Sequence, residues 1–379
     1  MRFFAVAAIL WIVVLVSGND LHPYFAPGEA SLLQEIIQPP TLPGLLYTGL
    51  RQLTTDLFAL RLPGILLLVI TFGLLFAYGR KLFGASTIYV ALLVLASSLL
   101  INVAAKFALA DNLLLFGLTG LFLSLIHYLK TGRGAAAVWL FGLASAWTQP
   151  VVTLVGGLSL YGLLRQFHPQ GKGLDKLYLY AVLPTAAGAV WLLSGSLTGV
   201  GFSLGAFVRP VHHWLGLQAL GLLPWLGFLL AALWNTGVKA RKGEELSIIL
   251  GSAFVASLLT GSLLPQIVLG LMIARQVNDF FRPGYPYRPI IVFGSIVQLV
   301  GFFFLAMYVM MTGFRELGGT GFRVGMALGL VYWIPGVFGL VGMWSKGPKL
   351  LIGGRVLSGL LVMLIGWLLL FPIVQQYLQ

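Results

Sequence analysis

The chain has 379 residues, of which 59% are hydrophobic and only 9% are charged, and it carries a net charge of +13 and no cysteine. A soluble domain carries about 25% charged residues, so these side chains are too few to cover a water-facing surface. The absence of cysteine excludes disulfides, thiolate metal sites and cysteine nucleophiles.

Apolar runs of about 20 residues recur along the whole chain, which is the pattern of helices that span a bilayer. The basic residues are scattered among short loops rather than gathered in one patch. They therefore indicate orientation in a membrane and argue against a nucleic-acid partner. We predict an all-α polytopic membrane protein with a single transmembrane domain over residues 1–379 and no soluble domain.

The hydropathy pattern predicts thirteen spans. They begin near residues 3, 57, 85, 109, 135, 149, 177, 213, 246, 262, 290, 323 and 350. The first apolar stretch follows Arg2 and precedes Ser17 and Gly18, which is also the pattern of a signal peptide. We interpret it as an uncleaved first span.

The distribution of positive charge predicts the orientation. With the N-terminus in the cytoplasm, 17 of the 23 Lys and Arg residues, Arg355 among them, fall in cytoplasmic loops and six fall on the opposite side. This bias is the one that cytoplasmic loops show in membrane proteins. It predicts a cytoplasmic N-terminus and an extracytoplasmic C-terminus.

The longest segment between spans covers about residues 19–56, on the predicted outer face. It contains five prolines, so it cannot form one continuous helix. We predict two short interfacial helices in it, over residues 28–37 and 43–53. Connections of this length usually have a function.

Ionisable groups near or inside a membrane are expensive, so each of them is a functional candidate. Asp111 opens a purely apolar run, where it could cap the helix N-terminus, with Asn112 assisting, or act in a site. Glu29 follows Pro27 and Gly28 at the start of a predicted short helix, where a first-turn charge is the alternative to a catalytic role. Asp20 lies in the same loop.

Positive charge on the predicted outer face could hold a phosphate. The candidates are Arg51, Arg61, Lys106 and Arg209. Arg61 could equally anchor the second span to lipid headgroups. His212 and His213 could bind a metal, although adjacent residues point in different directions on a helix, which favours an interfacial pair.

Five weak motifs occur in an order and spacing that resemble the C-type (GT-C) polyprenyl-phosphate-sugar glycosyltransferases. They are LRLP at 60–63, GRKLFG at 79–84, KFALADNL at 106–113, GLA at 142–144 leading to TQP at 148–150, and HH at 212–213 before LPW at 223–225. The chain is most similar to the branch that contains the lipid A aminoarabinose transferase and the protein O-mannosyltransferases. The similarity covers most of the chain at low identity.

The resemblance implies a bundle of about a dozen helices whose first extracytoplasmic loop folds over a cavity. It implies transfer of a sugar from a polyprenyl-phosphate carrier to an acceptor outside the cytoplasm, in a bacterial inner membrane. An acidic residue of the first loop would act as a base or hold a divalent metal. In this chain, Gly28 stands where the family has the Asp of an Asp-Glu pair, so only Glu29 remains. The Lys of a later Lys-Pro-Pro motif is also replaced, by Leu42.

Three hypotheses follow. The chain is a divergent glycosyltransferase that uses Glu29, Asp20 or Asp111, with cations or a metal to stabilise the leaving phosphate. Alternatively, it is a non-catalytic subunit of the same fold that binds a lipid or scaffolds partner proteins. A transporter is the third alternative, disfavoured because no inverted repeat is visible.

Overall fold

The structure, a computed structural model, describes residues 2–19, 29, 41–183, 185, 187–188, 211–345 and 347–370. Across these ranges the chain consists of helices and turns, and they contain no β-strand. The predicted all-α class is therefore confirmed. The predicted helix over 28–37 lies outside the described residues except for Glu29, whereas the helix predicted over 43–53 is confirmed at Leu42–Leu53.

We number the helices in chain order. They are α1 (Arg2–Val16), α2 (Leu42–Leu53), α3 (Leu57–Phe83), α4 (Ala85–Ala96), α5 (Leu99–Ala105), α6 (Ala110–Thr131), α7 (Ala135–Thr148), α8 (Pro150–Phe167), α9 (Val211–Gly221), α10 (Leu226–Arg241), α11 (Glu245–Leu259), α12 (Leu264–Phe280), α13 (Arg288–Leu317), α14 (Gly319–Trp344) and α15 (Pro348–Ile365). Short helical turns also occur at Gly171–Leu174, Asp175–Leu177, Tyr178–Val182, Leu223–Trp225 and Gly366–Leu370.

The centre of the bundle is α12, which packs against α4, α10 and α11. Nearly all of its side chains are buried, as expected for a helix surrounded by other helices. At the periphery, α13 and α14 form a hairpin that presents large apolar side chains outward. Such a surface is suited to contact with lipid rather than water.

Five of the described helices are long and apolar enough to cross a membrane, and two bent pairs raise this number to seven. One pair is α4 and α5, bent by 66° at Ser97 and Ser98; the other joins the second half of α9 to α10 at 83°. The chain is thus a membrane protein. Helices or helical turns begin within four residues of all thirteen predicted starts. The count of thirteen spans stays a prediction, because several of these helices are too short to cross alone.

Two ends of the bundle differ in composition. We call the first end the site face. Hydrogen bonds connect the segments that form it: the end of α1, the start of α3, residues 106–109 and the turn Gly366–Leu370. The opposite end, which we call the basic face, contains the start of α4, the connection from α10 to α11 and the end of α12. Residues 80–84 and 239–245 were predicted on the same side, and both lie at the basic face.

One predicted loop position is wrong. Arg355 was assigned to a cytoplasmic loop, but it lies two turns inside α15 and is fully buried against Gly339 of α14. Glycines make this close packing possible. A Cβ at Gly354 would lie 2.4 Å from the carbonyl oxygen of Pro335, and a Cβ at Gly342 would lie 2.4 Å from the amide nitrogen of Leu351.

Candidate functional site

The centre of the site face is an ion pair between Glu29 and Arg61, both fully buried. Nε of Arg61 donates to Oε1 of Glu29 over 2.6 Å, and Nη2 donates to Oε2 over 2.7 Å. This two-bond geometry between a guanidinium and a carboxylate is among the strongest that side chains form. Residues 32 positions apart in the sequence are thereby joined at the head of α3.

Both partners make further bonds to the backbone. The amide N–H of Ala108 donates to Glu29 Oε1 over 3.0 Å, and Nη1 of Arg61 donates to the carbonyl oxygen of Asn19 over 2.6 Å. The guanidinium also lies 5.3 Å from the ring centre of Phe107, a distance at which a cation is attracted to an aromatic ring. The pair therefore joins the first loop, the end of α1 and the 106–109 segment.

Lys106 lies beside this pair and is 2% exposed. Its Nζ donates to the carbonyl oxygens of Leu15 and Ser17 over 3.2 and 2.8 Å, and to Oδ1 of Asn19 over 3.1 Å. Nζ also lies 4.5 Å from the ring centre of Trp367. Burial, together with the charge of Arg61, lowers the pKa of Lys106 to about 7. An ammonium has three donors, and here the chain itself accepts all three.

Close packing of α3 on the 105–112 segment positions these groups. A Cβ at Gly64, one turn after Arg61, would lie 2.6 Å from the carbonyl oxygen of Ala105. Only glycine fits there, because backbone atoms cannot move aside. Nδ2 of Asn112 donates to the carbonyl oxygens of Ala104 and Phe107 and so ties the start of α6 to the segment that follows α5.

Two buried donors in the site have no hydrogen-bond partner among the described residues. One is Nδ2 of Asn19, whose Oδ1 is held by Lys106. The other is the hydroxyl of Tyr47, which is 1% exposed and packs with Leu60 and Ala108. Burial raises the pKa of Tyr47, and the nearby Glu29 carboxylate raises it further. Buried donors without a partner are rare, so each calls for an acceptor that the described residues do not supply.

Asp111 is not the N-cap of α6, contrary to the capping hypothesis. The N-cap is Leu109, and Asp111 lies in the first turn, where its charge favourably meets the positive end of the helix. Asn112 does not assist a cap, because its amide serves the preceding segment. Asp111 is partly exposed at the site face, as is Arg51 in the last turn of α2. The capping role occurs instead at Asp56, which accepts the amide N–H of Ala59 at the head of α3.

The remaining predicted residues cannot be placed. Asp20 and Arg209 lie outside the described residues, and so do the side chains of His212 and His213, although α9 begins at Val211. No group of three His, Asp or Glu side chains that could hold a metal occurs in the described part of the chain. Of the proposed ligands, Glu29 has both oxygens engaged by Arg61 and Ala108. The described side chains alone do not form a metal site, and the metal stays a prediction because Asp20 and the side chains of His212 and His213 lie outside them.

The structure thus brings together three of the predicted site residues: Glu29, Arg61 and Lys106. It adds Asn19, Tyr47 and Trp367, none of which was predicted. Trp367 had no visible signal, because it lies near the other end of the chain and reaches the site only through the fold; its Nε1 donates to the carbonyl oxygen of Gly18. Tyr47 stood beside the altered family motif, which was the only hint of its place in the site.

Comparison with known proteins gives one result. No family model matches the chain, and no curated protein matches it. Two solved structures do, both of ArnT from Cupriavidus metallidurans. ArnT bound to undecaprenyl phosphate superposes with a TM-score of 0.65 at 17% identity, over 97% of this chain and 76% of ArnT. ArnT in the apo state gives 0.61, with the same identity and coverage. The likeness shows that the chain has the fold of ArnT, in agreement with the fold that the sequence resemblance implied.

Proposed function

We propose that the chain is a membrane glycosyltransferase that takes a sugar from a polyprenyl-phosphate carrier and transfers it to an acceptor at the site face. The main support is the superposition of nearly the whole chain on an ArnT structure that holds undecaprenyl phosphate. The cluster at the site face adds to it, because the two buried donors without a described partner, on Asn19 and Tyr47, suit the oxygens of a phosphate or sugar ligand. In this proposal the site face is extracytoplasmic, in a bacterial inner membrane.

The transfer needs a group that takes the acceptor proton and positive charge that stabilises the leaving phosphate. Glu29 is poorly placed for the first role, because both of its oxygens accept bonds from Arg61 and protonation of either one would disrupt the ion pair. We assign it the role of a clasp that holds the first loop against α3. Asp111, partly exposed in the first turn of α6, is the better candidate for the proton acceptor among the described carboxylates.

The test is transfer by the purified chain from undecaprenyl-phosphate sugars, compared between Asp111→Asn and the double variant Glu29→Leu, Arg61→Met. Loss of a proton acceptor typically lowers the rate by about 10²–10⁴. We expect that loss for Asp111→Asn, which keeps the side-chain shape. The double variant should retain transfer within about tenfold, because it replaces the clasp with apolar groups of similar size. Transfer retained by Asp111→Asn but lost in the double variant would instead indicate that Glu29 is the proton acceptor.

One observation favours a second function, that of a non-catalytic subunit. Arg61 and Lys106, predicted to bind the phosphate, donate instead to the chain itself. A subunit of this kind would bind undecaprenyl phosphate or a partner protein without transferring sugar. Transfer absent from the wild-type chain with every carrier tested, together with co-purification of a fixed partner, would make this the better proposal.

The orientation is tested separately. Because the chain has no cysteine, single cysteines can be labelled without a background. Leu53→Cys lies near the site face and Lys242→Cys at the basic face, and both positions are exposed. We expect a membrane-impermeant maleimide to label Leu53→Cys in intact cells and Lys242→Cys only after lysis. The opposite result would invert the proposed topology.

A further inference from the structure

A groove of about 740 Å³ opens between the start of α13 and the end of α14, at the basic face and far from the site face. Its walls are apolar: Val292, Phe293 and Ile296 come from α13, and Met343 and Trp344 from α14. Phe293 and Trp344 are strongly exposed, and they lie near the ends of two helices, α13 and α14, that are both long enough to cross the membrane. The groove therefore lies where the hydrocarbon layer meets the headgroups, the depth at which Trp is enriched.

Arg288 lies at the end of this groove nearest the basic face. Its guanidinium carbon is 5.1 Å from the ring centre of Phe280. Its one hydrogen bond in the described part of the chain is a long one, 3.5 Å from Nη2 to the carbonyl oxygen of Met343. None of the described carboxylates forms an ion pair with it. Arg288 differs in this from Arg61, whose nitrogens are all engaged.

Asp279, whose charge acts on Tyr285 of the groove, already pairs with Lys239 and Arg282, and none of the described ion pairs includes Arg288. From residue 280 to the C-terminus, Glu316 is the only acidic side chain, and it lies at the far end of α13. Lys349 lies in the first turn of α15, at the same end of the bundle as Arg288, and Arg355 lies buried against Gly339, one turn before Met343 in α14. An occupant of the groove must therefore combine a negative charge near Arg288 with an apolar part against α13.

We propose that this groove binds an anionic glycerophospholipid of the leaflet that borders the basic face. Its phosphate would lie against Arg288 and one acyl chain along Val292, Phe293 and Ile296. Basic pockets between transmembrane helices recognise lipid headgroups in this way. The site is independent of the proposed transfer reaction, because it lies at the opposite end of the molecule.

The test measures lipid retained by the full chain in detergent, by native mass spectrometry, after addition of phosphatidylglycerol or phosphatidylcholine. We expect the wild-type chain to retain phosphatidylglycerol preferentially. Arg288→Gln should lower its retention about fivefold, since one basic residue contributes about 1 kcal/mol to binding an anionic lipid. Ile296→Trp, which keeps the charge and fills the groove, should lower retention as well. Arg323→Gln, which removes an exposed charge at the other end of α14, is the matched control and should have no effect.

Equal retention of the two lipids by the wild-type chain would overturn the proposal. So would equal effects of Arg288→Gln and Arg323→Gln, which would mean that only the overall charge matters. Unchanged retention in Ile296→Trp would place the lipid outside the groove. Displacement of phosphatidylglycerol by an equimolar amount of undecaprenyl phosphate would show that the occupant is a polyprenyl phosphate instead.

Discussion

Two buried arginines of this molecule have opposite surroundings. Arg61, near the start of α3, donates from three nitrogens to Glu29 and Asn19. Arg355, inside α15, is 1% exposed, and none of its three nitrogens has a hydrogen-bond partner in the part of the chain that the structure describes. Removing a charge from water is costly for both, but only Arg61 meets groups that offset the cost.

This difference in hydrogen-bond partners distinguishes a buried charge that stabilises the fold from a buried charge that has no visible structural role. The bonds of Arg61 hold together the end of α1, the first loop and the 106–109 segment, so its burial has a structural reason. No such reason is visible for Arg355, which packs against the glycine-rich contact between α14 and α15. Intramembrane charges of this kind are functional candidates by default. The two arginines therefore predict opposite responses to the same substitution.

The largest expected effect is at the paired arginine. Arg61→Met leaves the Glu29 carboxylate buried without its cation, and Glu29→Leu leaves the guanidinium without its carboxylate. Either change should cost about 3–5 kcal/mol of stability. The double variant removes both charges and should recover most of this loss. The measurement is the midpoint of thermal denaturation of each variant, purified in the same detergent.

Arg323→Met serves as the control for this series, because Arg323 is exposed at the start of α14. Exposed substitutions usually change stability by less than about 0.5 kcal/mol. A double variant as unstable as the two single variants would mean that Glu29 and Arg61 stabilise the fold through other partners, such as the Ala108 amide and the Asn19 carbonyl, more than through each other.

The unpaired arginine should respond in the other direction. Arg355→Met keeps a long flexible side chain in the same space and removes a buried charge that no described group offsets. We expect a gain of about 1 kcal/mol or more, and a higher denaturation midpoint than that of the wild-type chain. A lower midpoint would contradict this and would mean that Arg355 has a partner in the purified protein, supplied by a bound lipid or anion.

The same two residues show what the sequence could predict. Arg61 was recognised as a site candidate because a charge at the head of an apolar span is conspicuous. Its pairing with Glu29 could not be predicted, since the path of a proline-rich loop is not visible in a pattern of hydropathy. Arg355 was counted in a cytoplasmic loop although the last span was predicted to begin near residue 350. The helix begins at Pro348, and Gly354, just before Arg355, is a buried contact with α14 rather than part of a loop.

The helices themselves were largely predictable, because long apolar runs have one stable arrangement in a bilayer. Their breaks were not. The bend between α4 and α5 at Ser97 and Ser98 is stabilised by contacts from distant segments; Nε1 of Trp225 donates to Oγ of Ser97 over 2.9 Å. Trp225 itself lies at the second bend, before α10. The local sequence shows two serines in an apolar run. It does not show that a tryptophan 128 residues away donates a hydrogen bond to one of them, so the bend could not be predicted.

The smallest effect on stability is expected at Tyr47, one of the two residues of the site face with a buried donor that has no described partner. Its ring packs on Leu60 and Ala108, whereas its hydroxyl has no described partner. Tyr47→Phe keeps the packing and removes a buried hydroxyl that bonds to none of the described residues, so the denaturation midpoint should stay the same or rise slightly. If that hydroxyl instead donates to a bound phosphate or sugar, the variant should bind undecaprenyl phosphate or its sugar conjugates about fivefold to tenfold more weakly, the value of one hydrogen bond. Titration of wild type and Tyr47→Phe with both ligands distinguishes the two cases. Equal affinities would remove Tyr47 from the ligand site, and a large loss of stability would show that the hydroxyl has a partner within the folded chain.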